Sequence, residues 1–277
     1  MGTEARIVFY ASDSTVARAA AAAAFTRIAE IDGRLSDYRV DSEVSRIAAS
    51  PASSVVPVSD DLVFVLSRAL DAADRTDGAF DPTAGAIVAL WRDARRNRTL
   101  PDPDRLTDAL ARTGWRNVRL DTAARTVRPA VTGLRLDFGG IAKGWAADQA
   151  MVVLRSRGVK RALIDFGGEI VASEAPPGET GWRVRIENGG AGDMVLLAAG
   201  AISTSGPTQQ FVVIDGVSYS HVVDPRTGIG LTHGRSATVR APTGWLADLL
   251  ATAATVVDPD GLRRLREAWP EAVITIR

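Results

Sequence analysis

Hydrophobic and polar positions follow two periodicities along the chain. Apolar residues recur at helical spacing over residues 14–31, 61–77, 143–157 and 245–257, which predicts helices there. Gly33 and Gly78 are expected to end the first two of these helices. Short alternating runs at residues 4–10, 118–121, 126–129 and 134–139 predict strands. The polar, proline-bearing residues 92–106 are expected to form a surface segment.

The order of these elements predicts the fold class. Helices and antiparallel-type strands are interleaved without a regular strand–helix–strand alternation, which favours α+β over a doubly wound sheet. No repeat of fixed period and no long linker divides the chain. We predict a single compact α+β domain over residues 1–277, with a division into two lobes left open.

Charge and composition narrow the functional classes. Lysine and arginine together number 33, as do aspartate and glutamate, so the basic excess of a general nucleic-acid binder is absent. The absence of cysteine excludes disulfides and thiolate chemistry. No apolar run approaches the roughly 20 residues of a membrane span, and the alanines at 19–24 indicate a helix and not a signal peptide. A cytoplasmic location is the expectation.

The segment LDFGGIAKGWAAD, residues 136–148, is the first candidate for chemistry. Its paired glycines allow close backbone approach to a ligand, and the helix that follows offers free N–H groups to an anion. Asp137 and Lys143 flank the turn. A merely tight strand-to-helix turn explains the same pattern, and the segment matches neither a Walker loop nor a dinucleotide fingerprint.

Other candidate groups are weaker when each is taken alone. Asp248 and Thr252 are four residues apart, so a helix would place two hard oxygen donors for magnesium on one face. His221 could be a general base, a ligand contact or a structural partner. Phe80 could stack on a flat ring and Asp81 could accept hydrogen bonds from a nucleotide, but a structural turn explains GAFDPT equally well.

The order of the motifs is more specific than any one of them. Eight blocks occur in sequence: MGT, LSDYRVDSEVS, GAFDPTAGAIVALW, LDFGGIAKGWAAD, LIDFGGEI, ISTSG, SHVVDPRTG and ADLLATAATVV. In this order they resemble the signature blocks of the ApbE family, the FAD:protein FMN transferases. The resemblance spans residues 1–257. It implies an ApbE-like (T-fold-like) architecture that holds FAD between two lobes.

The resemblance also implies functional residues by motif position. The metal ligands would be the Gly140 carbonyl and the side chains of Asp248 and Thr252, with Mg²⁺ as the cation. His221 falls on the family's histidine and would activate the acceptor hydroxyl. The implied FAD contacts, of which Thr204 and Ser205 would shape the pyrophosphate loop, are Met1, Tyr38, Ala79, Phe80, Asp81, Asp137, Lys143, Thr204, Ser205 and Val222.

The implied reaction attaches FMN through a phosphoester bond to a threonine or serine of an acceptor protein and releases AMP. FAD is then a substrate and not a redox cofactor. An FAD pyrophosphatase, a non-catalytic FAD-binding protein and a flavin-dependent oxidoreductase are the alternatives. Two positions depart from the family pattern, because Asp37 replaces a common threonine and Ala48 replaces an asparagine.

Overall fold

A computed structural model describes residues 3–186, 194–206 and 211–277. The α-helices of these residues are α1 Ser14–Leu35, α2 Glu43–Ala49, α3 Asp60–Arg75, α4 Gly85–Asn97, α5 Pro103–Arg112, α6 Ala142–Ser156, α7 Gly244–Val256 and α8 Pro259–Ala268. The strands are β1 Arg6–Tyr10, β2 Val56–Pro57, β3 Val118–Asp121, β4 Thr126–Pro129, β5 Arg161–Asp165, β6 Ile170–Ala172, β7 Trp182–Arg185, β8 Met194–Leu197, β9 Gly200–Ser205, β10 Phe211–Ile214, β11 Val217–Ser220, β12 Val223–Asp224, β13 Ile229–Gly230, β14 Ala237–Ala241 and β15 Val273–Ile276.

The central sheet has six strands in the order β1-β5-β6-β9-β14-β15, and every neighbouring pair is antiparallel. Successive residues of a strand face opposite sides. Ala201 of β9 accordingly packs into the main core with the helices, whereas Ile202 packs with Trp182 on the other side. The predicted α+β class is confirmed by this mixture of a helix layer and an antiparallel sheet.

Helices α6 and α7 meet the sheet at its centre and meet each other near their N-termini. A Cβ atom added to Gly144 would lie 2.2 Å from the Gly244 carbonyl oxygen, so the two backbones are in direct contact. Asp148 of α6 accepts hydrogen bonds from the Gly244 and Trp245 N–H groups at 2.7 and 2.9 Å. In return, Asp248 of α7 accepts one from the Gly144 N–H at 3.1 Å. Each helix therefore supplies a carboxylate to the other's free N-terminal N–H groups.

Helix α7 is apolar around its whole circumference, which is typical of a buried helix. Asp248 is its single charged residue and is only 2% exposed. Burial raises the pKa of Asp248, while the Lys143 charge and backbone N–H groups of α6 lower it. A charge in this position needs a local reason, because an unpaired buried carboxylate is strongly unfavourable.

Two local predictions are wrong. Helix α1 continues through Gly33, since Leu35 is buried and Arg34 pairs with the buried Asp61 of α3 at 2.5 Å. Residues 134–139 form only one bridge, between Arg135 and Ala84, and not a strand. Residues 92–106 are mostly exposed, as predicted, although α4 runs to Asn97 and α5 follows after a left-handed Arg98.

Gly144→Ala should destabilise the protein strongly, because its Cβ would collide with backbone that a side-chain rotation cannot relieve. We expect a loss of about 1–3 kcal/mol or more in the free energy of unfolding, measured by urea denaturation. Gly33→Ala is the matched helical control, since nothing lies within 4 Å of its added Cβ. That control should stabilise by roughly 0.5–1 kcal/mol. Equal effects of the two substitutions would contradict the close helix contact.

Candidate functional site

A cavity of about 280 Å³ opens beside the N-terminal end of α6. Its walls come from the loop after α1, the turn at residues 79–84, the glycine turn at residues 137–143, the segment at residues 221–225 and one side of α7. The predicted site residues that line it are Tyr38, Ala79, Phe80, Asp81, Asp137, Gly140, Lys143, His221, Val222 and Thr252. Residues that are far apart in sequence therefore meet around one space.

The glycine turn is shaped by Asp137. One oxygen of its carboxylate accepts a hydrogen bond from the Gly139 N–H at 2.7 Å, and the other accepts one from Arg92 at 2.9 Å. Gly140 follows, and a Cβ atom added to it would lie 2.7 Å from the Thr252 hydroxyl oxygen. Only glycine therefore allows the turn to approach α7 this closely. α6 begins two residues later, and Asp248 accepts hydrogen bonds from N–H groups of its first turn.

Arg92 joins two walls of the cavity. Its guanidinium pairs with both Asp37 and Asp137 and lies over the Tyr38 ring, 4.2 Å from the ring centre. Burial and the Asp37 charge raise the pKa of Asp137, and Arg92 opposes that effect. Arg92 was not predicted as a site residue, because it begins a polar stretch. Its place directly after the buried Trp91 on an amphipathic helix was the available signal.

An ion pair stands behind the glycine turn. Lys143 pairs with Glu169, which is 6% exposed and lies between β5 and β6. Burial and the Asp248 charge raise the pKa of Glu169, and the Lys143 charge opposes that effect. The block LIDFGGEI contains Glu169, but no role was predicted for it. A carboxylate directly after paired glycines at a strand break was the signal.

The turn of GAFDPT is held by its own aspartate. One oxygen of Asp81 accepts hydrogen bonds from the Thr83 N–H and hydroxyl at 2.8 and 2.6 Å, and the other accepts one from the Trp115 N–H at 2.9 Å. Ala79 and Phe80 are buried in the cavity wall. The carboxylate thus has a structural role, and its predicted contact with FAD stays a prediction.

The remaining predicted residues occupy different places. His221 follows β11 and, with Val222, lines the cavity. Thr204 and Ser205 lie on β9 away from the cavity wall, with the Thr204 hydroxyl 3.0 Å from that of Thr238. Met1 lies outside the described residues. The predicted ligand roles of these residues stay predictions.

The predicted metal ligands are compatible with one small site. Thr252 is one helical turn beyond Asp248 on α7, and Gly140 is in contact with Thr252. Carboxylate, hydroxyl and carbonyl oxygens are the donors that Mg²⁺ prefers, and Mg²⁺ fills its other positions with water or ligand phosphates. In the described part of the chain no group of three or more His, Cys, Asp or Glu side chains is placed to hold a metal. A site built here would thus depend on mixed oxygen donors.

A glycine turn and oxygen donors beside one cavity are features of proteins that bind phosphate-containing ligands. A model of the ApbE family matches residues 1–274. The chain therefore belongs to the ApbE family.

Two relatives, both FAD:protein FMN transferases, are similar over most of the chain. The relative from Treponema pallidum is 35% identical, and the similarity covers 93% of this chain and 76% of the relative. The relative from Klebsiella pneumoniae is 30% identical, with 94% and 77% covered.

Solved structures of the family share the fold. The ApbE protein from Thermotoga maritima has a TM-score of 0.86 and 31% identity, with 99% of this chain and 91% of that chain covered. The flavinyl transferase ApbE from Pseudomonas stutzeri has a TM-score of 0.85 and 29% identity, with the same coverage. The predicted ApbE-like architecture is confirmed. No helix among the described residues is long and apolar enough to cross a membrane.

Arg92→Met should destabilise the protein in a pH-dependent way. It would leave Asp37 and Asp137 as mutually repelling, partly buried carboxylates, at a cost of about 1–3 kcal/mol near pH 8. Because Asp137 has a raised pKa in the folded state, the variant should lose stability as the pH rises and recover part of it near pH 5.

Urea denaturation at the two pH values measures this effect. Arg96→Met is the control on the same helix, because Arg96 is 74% exposed and pairs with Asp93 at the surface. We expect the control to change stability by less than about 0.5 kcal/mol at either pH. A loss for Arg92→Met that does not depend on pH would argue against a charge-holding role.

Proposed function

We propose that this protein is a magnesium-dependent FAD:protein FMN transferase that modifies a threonine or serine of an acceptor protein. The observation that carries the proposal is one cavity lined by the glycine turn, His221 and Thr252 of α7, with Asp248 one helical turn before Thr252. Membership of the family and the names of the relatives support the same activity. A cytoplasmic location stays a prediction.

FAD is the substrate that this cavity would hold. Tyr38 and Phe80 offer aromatic surface for flat rings, and the glycine turn lets the backbone come close to the pyrophosphate. Lys143 lines the same cavity and is held by Glu169, so it adds a fixed positive charge near the phosphates. These contacts would place the phosphorus atoms between the glycine turn and His221.

The transfer itself is a displacement at phosphorus. The hydroxyl oxygen of the acceptor forms a bond to the FMN-side phosphorus, and the bond from that phosphorus to the AMP oxygen breaks. His221 accepts the hydroxyl proton, and AMP leaves with the bridging oxygen. The flavin ring is neither oxidised nor reduced.

The metal site has a donor set suited to Mg²⁺. Gly140, Asp248 and Thr252 would hold the cation, and a bound Mg²⁺ would neutralise charge that develops on the phosphate oxygens. The helix contact between α6 and α7 keeps Gly140 and Thr252 at a fixed separation.

His221→Ala should slow FMN transfer by about 10²–10⁴-fold, because the acceptor hydroxyl loses its base. The measurement is mass spectrometry of an acceptor protein incubated with enzyme, FAD and Mg²⁺, which follows the added FMN mass. His233→Ala is the control, since His233 is exposed and does not line the cavity.

The same incubation separates the transferase from its alternatives. Stoichiometric free FMN with none on the acceptor would identify a pyrophosphatase, and unchanged FAD would identify a binding protein. Full transfer by His221→Ala would contradict the role of His221 but not the reaction.

Asp248→Asn should weaken the response of the transfer rate to Mg²⁺ by at least about tenfold, because a charged ligand becomes neutral. Asparagine still offers an oxygen to the Gly144 N–H, so the helix contact is largely kept. Initial rates at increasing Mg²⁺ concentration give the comparison. Asp260→Asn is the control, because Asp260 is 78% exposed on α8. An unchanged Mg²⁺ dependence in Asp248→Asn would exclude Asp248 as a ligand.

A further inference from the structure

Lys143 is influenced by two buried carboxylates. Its ammonium pairs with Glu169 in the structure. Asp248 accepts hydrogen bonds from the backbone N–H groups of Gly144 and of Lys143 itself, so its carboxylate lies beside this lysine. Burial would lower the pKa of Lys143, but the charges of Asp248 and Glu169 raise it. Among the described contacts, the ammonium of Lys143 is bonded to Glu169 and not to Asp248.

Glu169 has no evident task of its own. It is 6% exposed, and its Oε2 atom has no hydrogen-bond partner in the described structure. Its Oε1 atom pairs with Lys143. A buried carboxylate that is only half satisfied is costly, and a well-packed apolar residue would often stabilise the fold more. Its role therefore concerns where it holds Lys143.

A lysine and a divalent cation cannot both neutralise one carboxylate without competing. If the Lys143 ammonium were bonded to Asp248, a cation would have to displace it and leave a partly buried ammonium unpaired, which is unfavourable. Pairing with Glu169 removes that obstacle.

We propose that Glu169 is a positioning residue that holds Lys143 away from Asp248 and so keeps the Asp248 carboxylate available to the divalent cation. The inference rests on the proposed cation site of Gly140, Asp248 and Thr252. In this role, Glu169 prevents Lys143 from taking the place of the cation at Asp248.

A double-mutant cycle on cation affinity tests this inference without the reaction. The probe is Mn²⁺, titrated into the full chain without FAD and followed by the electron paramagnetic resonance signal of the free ion. The variants are Glu169→Gln, Lys143→Gln and the double variant. Glu174→Gln is the control, because Glu174 is 60% exposed.

The expected result is strong non-additivity. Glu169→Gln should weaken Mn²⁺ binding by about tenfold or more, because Lys143 turns to Asp248, and Lys143→Gln in that background should restore most of the affinity. Lys143→Gln in the wild-type background should change the affinity much less. Glu174→Gln should bind as the wild type does.

A different result is expected if Glu169 and Lys143 act on the cation only as two independent charges. In that case each substitution would have the same effect in both backgrounds, and additivity within about threefold would overturn the proposal. Urea denaturation in EDTA checks that each variant folds. If Glu169→Gln does not fold, Glu169→Asp replaces it, and its shorter side chain should give a smaller loss that Lys143→Gln again reverses.

The cycle also separates this inference from the proposed function. A wild type that binds no Mn²⁺, or binds it equally well as Asp248→Asn, would overturn the cation site and this inference with it. A wild type that binds Mn²⁺ through Asp248 but transfers no FMN would contradict the proposed reaction. The cycle would still decide the role of Glu169.

Discussion

The site depends on a reciprocal contact between two helices, in which each helix binds the other's N-terminal N–H groups through an aspartate. Asp148 of α6 binds the first N–H groups of α7, and Asp248 of α7 binds an N–H in the first turn of α6. This contact forms because Gly144 and Gly244 let the backbones touch. It fixes the glycine turn, the cavity wall and the oxygen donors of α7 relative to one another. A rigid junction of this kind suits a site that must hold charged groups within a few tenths of an ångström.

Local periodicity was sufficient to predict helices α1, α3, α6 and α7 and strands β1, β3 and β4. It failed where long-range packing decided the outcome. Alternation in residues 134–139 is real, since Leu134 and Leu136 are buried and Arg135 is exposed, but the segment lies beside residues 82–85 and pairs with them at one point only. Gly33 carries a stop signal that the buried Leu35 overrides.

Ten of the residues predicted from the motif blocks line one cavity. Two charged residues of the site were not predicted. Arg92 reaches Asp137 across 45 positions, and Glu169 reaches Lys143 across 26. Neither partner can be identified from spacing along a helix or strand, because the contacts form only when separate elements pack. The motifs identify residue types and their order in the chain. Which charged side chains pair with one another depends on the three-dimensional packing.

The meeting of α6 and α7 also joins ligand binding to folding. A ligand bound at this junction contacts two helices of the main core. Its binding therefore raises the free energy of unfolding by RT ln(1 + [L]/Kd). The melting temperature should then report occupancy directly. Trp145 lies in the first turn of α6, and its ring is stacked on that of Phe64 of α3 with 4.0 Å between the ring centres. The optical signal of Trp145 therefore reports on the junction.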